Sequence, residues 1–449
     1  MRSTRSEIAV RTRARITRRL IPFLMFAYLL AYLDRANLSI AKLQMQTDLH
    51  LTDAVIGFGA GIFFLGYFVL EIPGALLVER WSARKWLARI MVSWGIVATV
   101  TGFIGTSFFG GIPLRHQFYA ARLLLGLAEA GFFPGIIVYL SHWFTFEDRS
   151  RAKAYFMMTQ PLSIVIGVPL SRWILETVHW HGLAGWRWVF ILEGLPCIVM
   201  GLVTLFYLTD LPSQAKWLSQ EEKNWLEGEL QKEREARTAA QRVRLIEAFR
   251  NKYVLLLIAI YILIVSGNQG LIFFFPSITN QMTSMSVAWR TAVTILPYIF
   301  GMAGIFLAGY SAHRRREHRW HTAAPILITG CGLALAILSG DHIALAIAFF
   351  CLAGAAARAY LPAFWTLPTA FFGSSAAAAA IGLINSLGSL GGFIGPSVFG
   401  YLKTKTGSFD AGLWFLVGCT VAAGLLSLTI PAGSRRQVNN QKEANATKT

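Results

Sequence analysis

The sequence predicts an all-α membrane protein of twelve transmembrane helices in two six-helix bundles, and three observations carry that expectation. The first is composition: of 449 residues, 55% are hydrophobic and 14% charged, with a mean hydropathy of +0.51, where a soluble protein has about 25% charged residues. The second is that the apolar residues fall in blocks of about 20, enough for a helix to cross a hydrocarbon core of ~30 Å. The blocks lack the polar–apolar alternation of a membrane barrel. The third is the placement of charge. Of the 41 Lys and Arg, 31 lie in six stretches: Arg2–Arg19, Arg80–Arg89, Arg149–Lys153, Lys216–Lys252, Arg314–Arg319 and the C-terminal tail. Alternate inter-span segments are therefore basic, which predicts that both termini are cytoplasmic. The net charge of +18 is thus topology, and no nucleic-acid partner is expected.

Taken in order, the expected spans are 19–41, 54–78, 86–108, 117–140, 153–175 and 187–208, then 253–275, 291–311, 323–340, 343–367, 375–400 and 411–431. Between the sixth and seventh spans the composition changes to Glu, Lys, Arg and Gln with a Leu/Trp spacing that suggests a surface helix. The expected organisation is a basic cytoplasmic N-terminus (1–18), an N-terminal bundle (19–209), a cytoplasmic linker (210–252), a C-terminal bundle (253–431) and a cytoplasmic tail (432–449). Six spans plus six is the parallel-repeat plan of two-bundle carriers. The repeat also shows in two loops. After the second span, Gly74 is followed by Glu79, Arg80, Arg84 and Lys85; after the eighth, Gly309 is followed by His313, Arg314, Arg315, Arg316 and Glu317.

Other signals are structural. Cys197, Cys331, Cys351 and Cys419 stand singly in apolar blocks, without metal spacing. His179 and His181 lack further ligands, so no metal is expected. The Arg18–Arg19 pair precedes an apolar run, but no small-residue cleavage site follows, so the first span is expected to remain as an anchor.

Several motifs, in order, resemble one family. These are the stretch Ala31–Ser39 with Asp34, Arg35 and Asn37; Arg122–Gly135 with Gly126, Glu129, Gly131 and Pro134; and Gly185–Pro196 with Glu193. The segment Asp210–Leu226 follows, then Phe364–Thr369, Gly382–Ser386 and Gly391–Pro396. On these the chain resembles the major facilitator superfamily, and within it the anion:cation symporters of organic acids, along nearly its whole length. The resemblance is nearest to carriers of tartrate, rhamnonate and related sugar acids. It implies proton-coupled symport of a small organic anion (a sugar acid such as tartrate, rhamnonate or a hexonate) by alternating access. Aromatic carboxylates of the phthalate or hydroxyphenylacetate kind remain open as the substrate. It also implies a plasma membrane location, a bacterial inner membrane, for a protein working as a monomer. Two departures stand out: His313 replaces the acid that usually precedes the arginine of the second-half loop, and Arg358 lies outside the family pattern.

Charges inside spans are costly in hydrocarbon and mark a cavity or a partner. The first span holds Asp34 and Arg35; the fourth holds Arg122 and Glu129, seven residues apart and so nearly on one face, about 10 Å apart along the axis. Helices one and four line the cavity in the family that the chain resembles. A planar guanidinium suits a carboxylate substrate, which points to Arg35 and Arg122 as substrate-binding residues, Arg122 serving alternatively as a gate. A carboxyl buried in apolar surroundings holds a proton more readily, which points to Asp34 and Glu129 for proton coupling. The bland alternative is that Asp34–Arg35 and Arg122–Glu129 are structural pairs. The resemblance adds Tyr32, Tyr67, Gln160, Gln269, Trp365 and Asn385 to the substrate site, with Asn268 beside Gln269. It assigns Glu79, Arg80, Arg84 and Arg314 to gating loops. Glu71 reads as a packing or gating acid, Glu193 as a partner of Arg187, and Arg358 as a candidate substrate-specific contact reaching the cavity. Gly388, Gly391, Gly392, Gly395 and Pro396 in the eleventh helix, and Gly126, Gly131 and Pro134 in the fourth, are candidate flex points.

Four rival classes are disfavoured, the organophosphate/phosphate antiporter remaining the less favoured alternative. The chain has no Gly-Lys dipeptide and hence no P-loop, so an ion gradient rather than ATP is expected to drive it, with no cofactor. An organophosphate/phosphate antiporter would place an arginine in the seventh span, and Tyr253–Phe275 has none. An enzyme would need a nucleophile–base set or a metal motif, and neither is visible. A sensor would need a soluble domain larger than the linker.

Overall fold

The computed structural model describes residues 2–238, 251–282, 285–315, 317–368 and 374–431, and contains no strand among them. The chain divides into two compact units, Met1–Ala240 with Phe275–Ser277, and Gln241–Phe274 with Ile278–Thr449. The later part of the expected linker and the tail 432–449 lie outside the described residues.

The first unit holds α1 (Arg2–Asp48), α2 (Asp53–Arg80), α3 (Ala83–Thr101), α4 (Leu114–Glu129), α5 (Phe132–Trp143), α6 (Phe146–Thr177), α7 (Gly185–Tyr207) and α8 (Gln220–Thr238). The second holds α9 (Lys252–Asn280), α10 (Val287–Arg315), α11 (Arg319–Leu338), α12 (Ile343–Ala357), α13 (Leu361–Phe364), α14 (Ser374–Gly388), α15 (Leu390–Thr406) and α16 (Asp410–Leu428). Ten segments among the described residues are long and apolar enough to cross a membrane. Two further described helices, of membrane length, stand at the places expected for the third and fifth spans. The first, α3, carries Arg84, Lys85 and Arg89 at its start, and α6 is interrupted by Gln160, Ser163, Ser171 and Arg172.

Three expected spans prove discontinuous. The fourth breaks between Glu129 and Phe132, where Gly131 takes a left-handed φ of 84° that a side chain would strain. The tenth breaks after Ala357 and the eleventh at Ser389. Conversely, α1 runs far beyond 19–41 into the basic N-terminus.

In the first unit α1 packs on α6 and α7, α3 on α7, and α2 on α4. The α2–α4 contact is close because Gly126 faces the backbone carbonyl of Phe63, leaving no room for a Cβ. That approach brings the polar side of α4 up to the rings of α2. The core of this unit includes Leu24, Ala27, Phe63, Trp94, Leu125 and Phe156.

One end of the unit is fastened by ions. Glu222 of α8, with a fully buried side chain, meets Arg11 at 3.2 Å and Arg15 at 2.7 Å, and Arg13 meets Asp148 at 2.8 Å. Arg149 meets Glu233 at 3.1 Å. In the second unit α11 packs on α16 and α12, and α10 on α12, around Ile258, Ile264, Ile326, Phe364 and Ile384.

Candidate functional site

The first unit buries a cluster of opposite charges between α1, α2 and α4. Arg35 Nε donates to Glu129 Oε1 at 2.7 Å; the Glu129 side chain is 1% exposed and that of Arg35 20%. Three rings surround the Arg35 guanidinium, with centroids 5.1 Å away for Tyr32, 5.4 Å for Phe63 and 4.8 Å for Tyr67. Arg122 lies 5.1 Å from the same Phe63 ring, so one aromatic side chain serves both arginines. Asp34, 1% exposed, accepts a hydrogen bond from Asn37 Nδ2 at 3.0 Å.

The ion pair in this cluster therefore differs from both pairs of the bland alternative above. Neither Asp34–Arg35 nor Arg122–Glu129 is the closest pair. Neighbouring residues on a helix point about 100° apart, so Arg35 reaches Glu129 on α4 while Asp34 is held by Asn37 of its own helix. Among the described residues Asp34 Oδ2, Glu129 Oε2, and Arg122 Nε and Nη1 have no hydrogen-bond partner. The cluster thus keeps spare donors and acceptors in an apolar setting.

A second correction concerns Glu193, expected to pair with Arg187. Arg187 instead meets Asp48 at 3.5 Å and donates from Nη1 to the carbonyls of Gly102 and Ile104. Glu193 accepts from Ser171 Oγ at 2.6 Å. Six residues separate Arg187 from Glu193, more than a turn and a half, which places them at different depths and on different faces of α7.

Of the substrate-site residues expected from sequence, the structure brings together Tyr32, Arg35, Tyr67 and Arg122, with Asp34 and Glu129. Gln160 stands half-buried on α6 and makes no hydrogen bond to this cluster. Gln269, Trp365 and Asn385 belong to the second unit. There Trp365 packs edge-on to Tyr261 at 5.2 Å, Asn268 donates to the carbonyl of Ala357 at 3.2 Å, and Gln269 and Asn385 are half-buried. Glu71 is buried on α2, one turn beyond Tyr67.

Among the gating-loop residues, Glu79 and Arg80 fall in the last turn of α2 rather than in the loop, and their side chains lie outside the described residues. The loop itself is held by Asp210, which accepts from Ser82 Oγ and from the backbone N–H of Arg84, both at 2.8 Å. Arg84 Nε stands 4.0 Å from the same carboxylate. Arg314 is exposed. Sequence reasoning missed Phe63, although its place four residues before Tyr67 puts both on one helical face. It also gave Asn37 no role and overlooked Lys42, which is fully buried on α1.

Ten apolar spans among the described residues, with a buried and incompletely satisfied charge cluster, fit a multi-pass membrane transporter. A family model described as Major Facilitator Superfamily matches residues 24–396. A relative from Agrobacterium vitis named "Putative tartrate transporter" is 40% identical over 428 residues, covering 95% of this chain and 96% of its own. The "Inner membrane transport protein RhmT" of Escherichia coli (strain K12) is 35% identical, covering 92% and 93%. Among solved structures, a D-xylose-proton symporter superposes with a TM-score of 0.72 at 14% identity, covering 93% of this chain and 98% of that one. That likeness concerns the fold alone. The chain belongs to the major facilitator superfamily.

Proposed function

We propose that the protein is a secondary active symporter that carries a small organic anion together with a proton by alternating access. The observation that carries this reading is the buried Arg35–Glu129 pair, 2.7 Å apart among the rings of Tyr32, Phe63 and Tyr67. While Glu129 is ionised it neutralises Arg35. A proton on Glu129 removes that charge and leaves a guanidinium that apolar surroundings do not tolerate alone. A substrate carboxylate then takes the place of the Glu129 carboxylate, with a bidentate geometry open to it. Proton and anion each make the other's binding favourable, which is the thermodynamic requirement of symport. Asp34, buried and oriented by Asn37, is the second acid that takes part.

In this reading Asp34 and Glu129 carry protons. Arg35, Arg122, Tyr32 and Tyr67 bind the anion, and Gln160, Gln269, Trp365 and Asn385 are further candidates for it. Glu79, Arg80, Arg84 and Arg314, at the helix ends that flank the two loops, act in gating. The proton gradient is the only energy source, no cofactor takes part, and the working unit is a monomer. The membrane is the bacterial inner membrane with both termini cytoplasmic. The name of the tartrate relative supports a hydroxylated C4–C6 acid as the substrate class. Uptake of a panel of labelled sugar acids into proteoliposomes tests the reading. An imposed inward proton gradient should drive accumulation of at least one acid, and a collapsed gradient should abolish it. Uptake indifferent to the gradient rejects proton coupling.

A further inference from the structure

Glu193 is a buried acid to which the symport reading gives no task. It lies within α7, 4% exposed, and forms no ion pair with any described residue. Ser171 Oγ donates to Glu193 Oε1 at 2.6 Å, while Oε2 is buried with no hydrogen-bond partner among the described residues. Asn37, fully buried on α1, has a matching gap. Its Nδ2 donates to Asp34 Oδ1 at 3.0 Å, and its Oδ1 has no partner among the described residues. We propose that Glu193 is a neutral acid whose O–H donates to Asn37 Oδ1, a positioning residue that aims the Asn37 amide at Asp34 and so sets how readily Asp34 takes up its proton. The inference rests on the proton-coupled reading above and adds a residue to it.

Helix contacts within the first unit bring these side chains to one level. The α1 and α6 helices touch where the Leu33 side chain fills the space beside Gly167, and again where Gln44 Nε2 donates to the carbonyl of Leu175 at 3.1 Å. They therefore run in the same direction. Asn37 is one turn beyond Leu33 and Ser171 one turn beyond Gly167, so the two share the facing sides of these helices. By contrast, α7 runs against α1. Trp186 Nε1 donates to Asp48 at 2.8 Å, and the Tyr207 hydroxyl donates to the carbonyl of Arg19 at 3.1 Å. Glu193 stands a third of the way from Trp186 to Tyr207, and a third of the way from Asp48 back to Arg19 falls at Leu38, next to Asn37. The bond from Ser171 to Glu193 joins α6 to α7 at that same level.

The proton on Glu193 follows from its surroundings. A carboxylate with one hydroxyl donor and no cation is costly in an apolar interior. The cations of the packed helices are engaged elsewhere. Arg187 of α7 meets Asp48 and two backbone carbonyls, Arg172 of α6 meets Glu176 at 3.5 Å, and Arg35 of α1 meets Glu129. Arg122 of α4 lies against the Phe63 ring. Lys42 is five residues past Asn37 and so on another side of α1, and α3 carries its basic residues only at its start. The Cys197 thiol, one turn along α7, donates to the backbone carbonyl of Glu193. Two buried acceptors, a carboxyl oxygen and an amide oxygen, do not bond each other until one bears a proton, and only the carboxyl takes one. A proton on Oε2 satisfies both. Donation then runs one way, from Ser171 to Glu193 to Asn37 to Asp34, and each bond strengthens the next. A donor held on Asp34 Oδ1 works against protonation of that acid.

Infrared spectra of the purified full chain read the proton, and transport reads its consequence. At pH 7 the wild type should show a carboxylic-acid C=O band that shifts in D2O and is missing from Glu193→Gln. In proteoliposomes, gradient-driven uptake of labelled tartrate, gluconate and galactarate is followed over external pH. Glu193→Gln keeps a donor for Asn37 Oδ1, so its pH midpoint should stay within about 0.3 unit of the wild type. Glu193→Leu removes the donor, and its midpoint should move about one unit toward alkaline pH. Asn37→Leu should move it as far, and the double variant no further, since the two residues act through one chain. Identical infrared spectra for wild type and Glu193→Gln would overturn the neutral acid. A midpoint in Glu193→Gln that moves by a full unit would show that Glu193 exchanges its proton, and additive shifts in the double variant would break the chain through Asn37; either overturns the proposal while symport stands. Should Glu193→Leu fail to fold, the infrared band and Glu193→Gln still decide. If the wild type accumulates none of the three acids under a gradient, the symport reading falls and the role toward Asp34 with it, whereas the infrared band reports on Glu193 independently.

Discussion

Arg35 meets Glu129 through a single hydrogen bond, Nε to Oε1 at 2.7 Å, although the two groups are capable of a two-pronged contact. Glu129 Oε2 is left buried without a hydrogen-bond partner among the described residues. The pair is therefore closed enough to neutralise both charges and incomplete enough to be exchanged. Replacing Glu129 with Gln keeps the shape and removes the charge that protonation would remove. Glu129→Gln should abolish accumulation of substrate against a gradient, bringing the internal-to-external ratio to about one, while substrate still raises the unfolding temperature. Flux assays in proteoliposomes beside thermal melts check both halves. Concentrative uptake by the variant would exclude Glu129 as the proton carrier.

The architecture was legible in sequence because a membrane span is a coarse signal: a block of about 20 apolar residues needs no neighbour to be recognised. The breaks in the fourth and tenth spans were not, since each turns on one or two backbone torsions, φ 84° at Gly131 and φ −122° at Arg358, inside an otherwise continuous apolar run. The candidate site was legible as a set of residues and illegible as a set of pairs. Asp34, Arg35, Arg122 and Glu129 announce themselves as charges within spans, yet which meets which depends on the rotation of α1 against α4. Glu193 makes the same point. Its partner Ser171 is a small polar residue on another helix, and nothing in its own helix indicates it.

Arg35→Lys separates two employments of the guanidinium. If Arg35 only balances Glu129, lysine keeps the charge and affinity should hold. In the proposed mechanism it clasps a carboxylate with two parallel bonds, which a point charge does not provide. Affinity for the transported acid should then fall by more than tenfold, about 1.4 kcal/mol. The methyl ester of that acid should bind the wild type poorly and lose little more in the variant. Calorimetry with acid and ester decides this. Equal binding of the two by wild-type protein would argue against an anionic substrate.

Outside the spans, Glu317 closes the start of α11. Its carboxylate accepts from the N–H of Trp320 at 2.9 and 3.0 Å, from the N–H of His321 at 3.2 Å, and contacts His321 Nδ1 at 3.0 Å. Partial burial alone would raise its pKa, but these bonds outweigh it and hold the group below the ordinary carboxylate value. A depressed pKa contributes stability that is fully present above the unfolded value, ~4.3, and is lost as pH falls through the folded value. Glu317→Gln should therefore lower the unfolding temperature at pH 7, and the gap from wild type should close in acid below that range. A constant gap at every pH would mean that packing, not the carboxylate charge, stabilises this turn.

The last prediction concerns orientation, and the contacts at one end of the first unit make it specific. Arg11 and Arg15 of α1 clasp Glu222 of α8, and Arg13 reaches Asp148 at the start of α6. Arg19 stacks on Tyr207, 4.5 Å from the ring centroid, and on Trp217 at 5.2 Å. The basic N-terminal segment, the α5–α6 turn and the linker helix therefore share one membrane face, and the positive-inside tendency assigns that face to the cytoplasm. A cysteine introduced at Arg237, in a variant from which the exposed Cys331 has been removed, should resist a membrane-impermeant thiol reagent in intact cells. The same site should label in inverted vesicles. Because the N-terminal arginines are tied to the linker, a cysteine at Arg11 should follow the same pattern. Opposite labelling at the two positions would contradict the ion pairs, and external labelling at both would invert the whole topology.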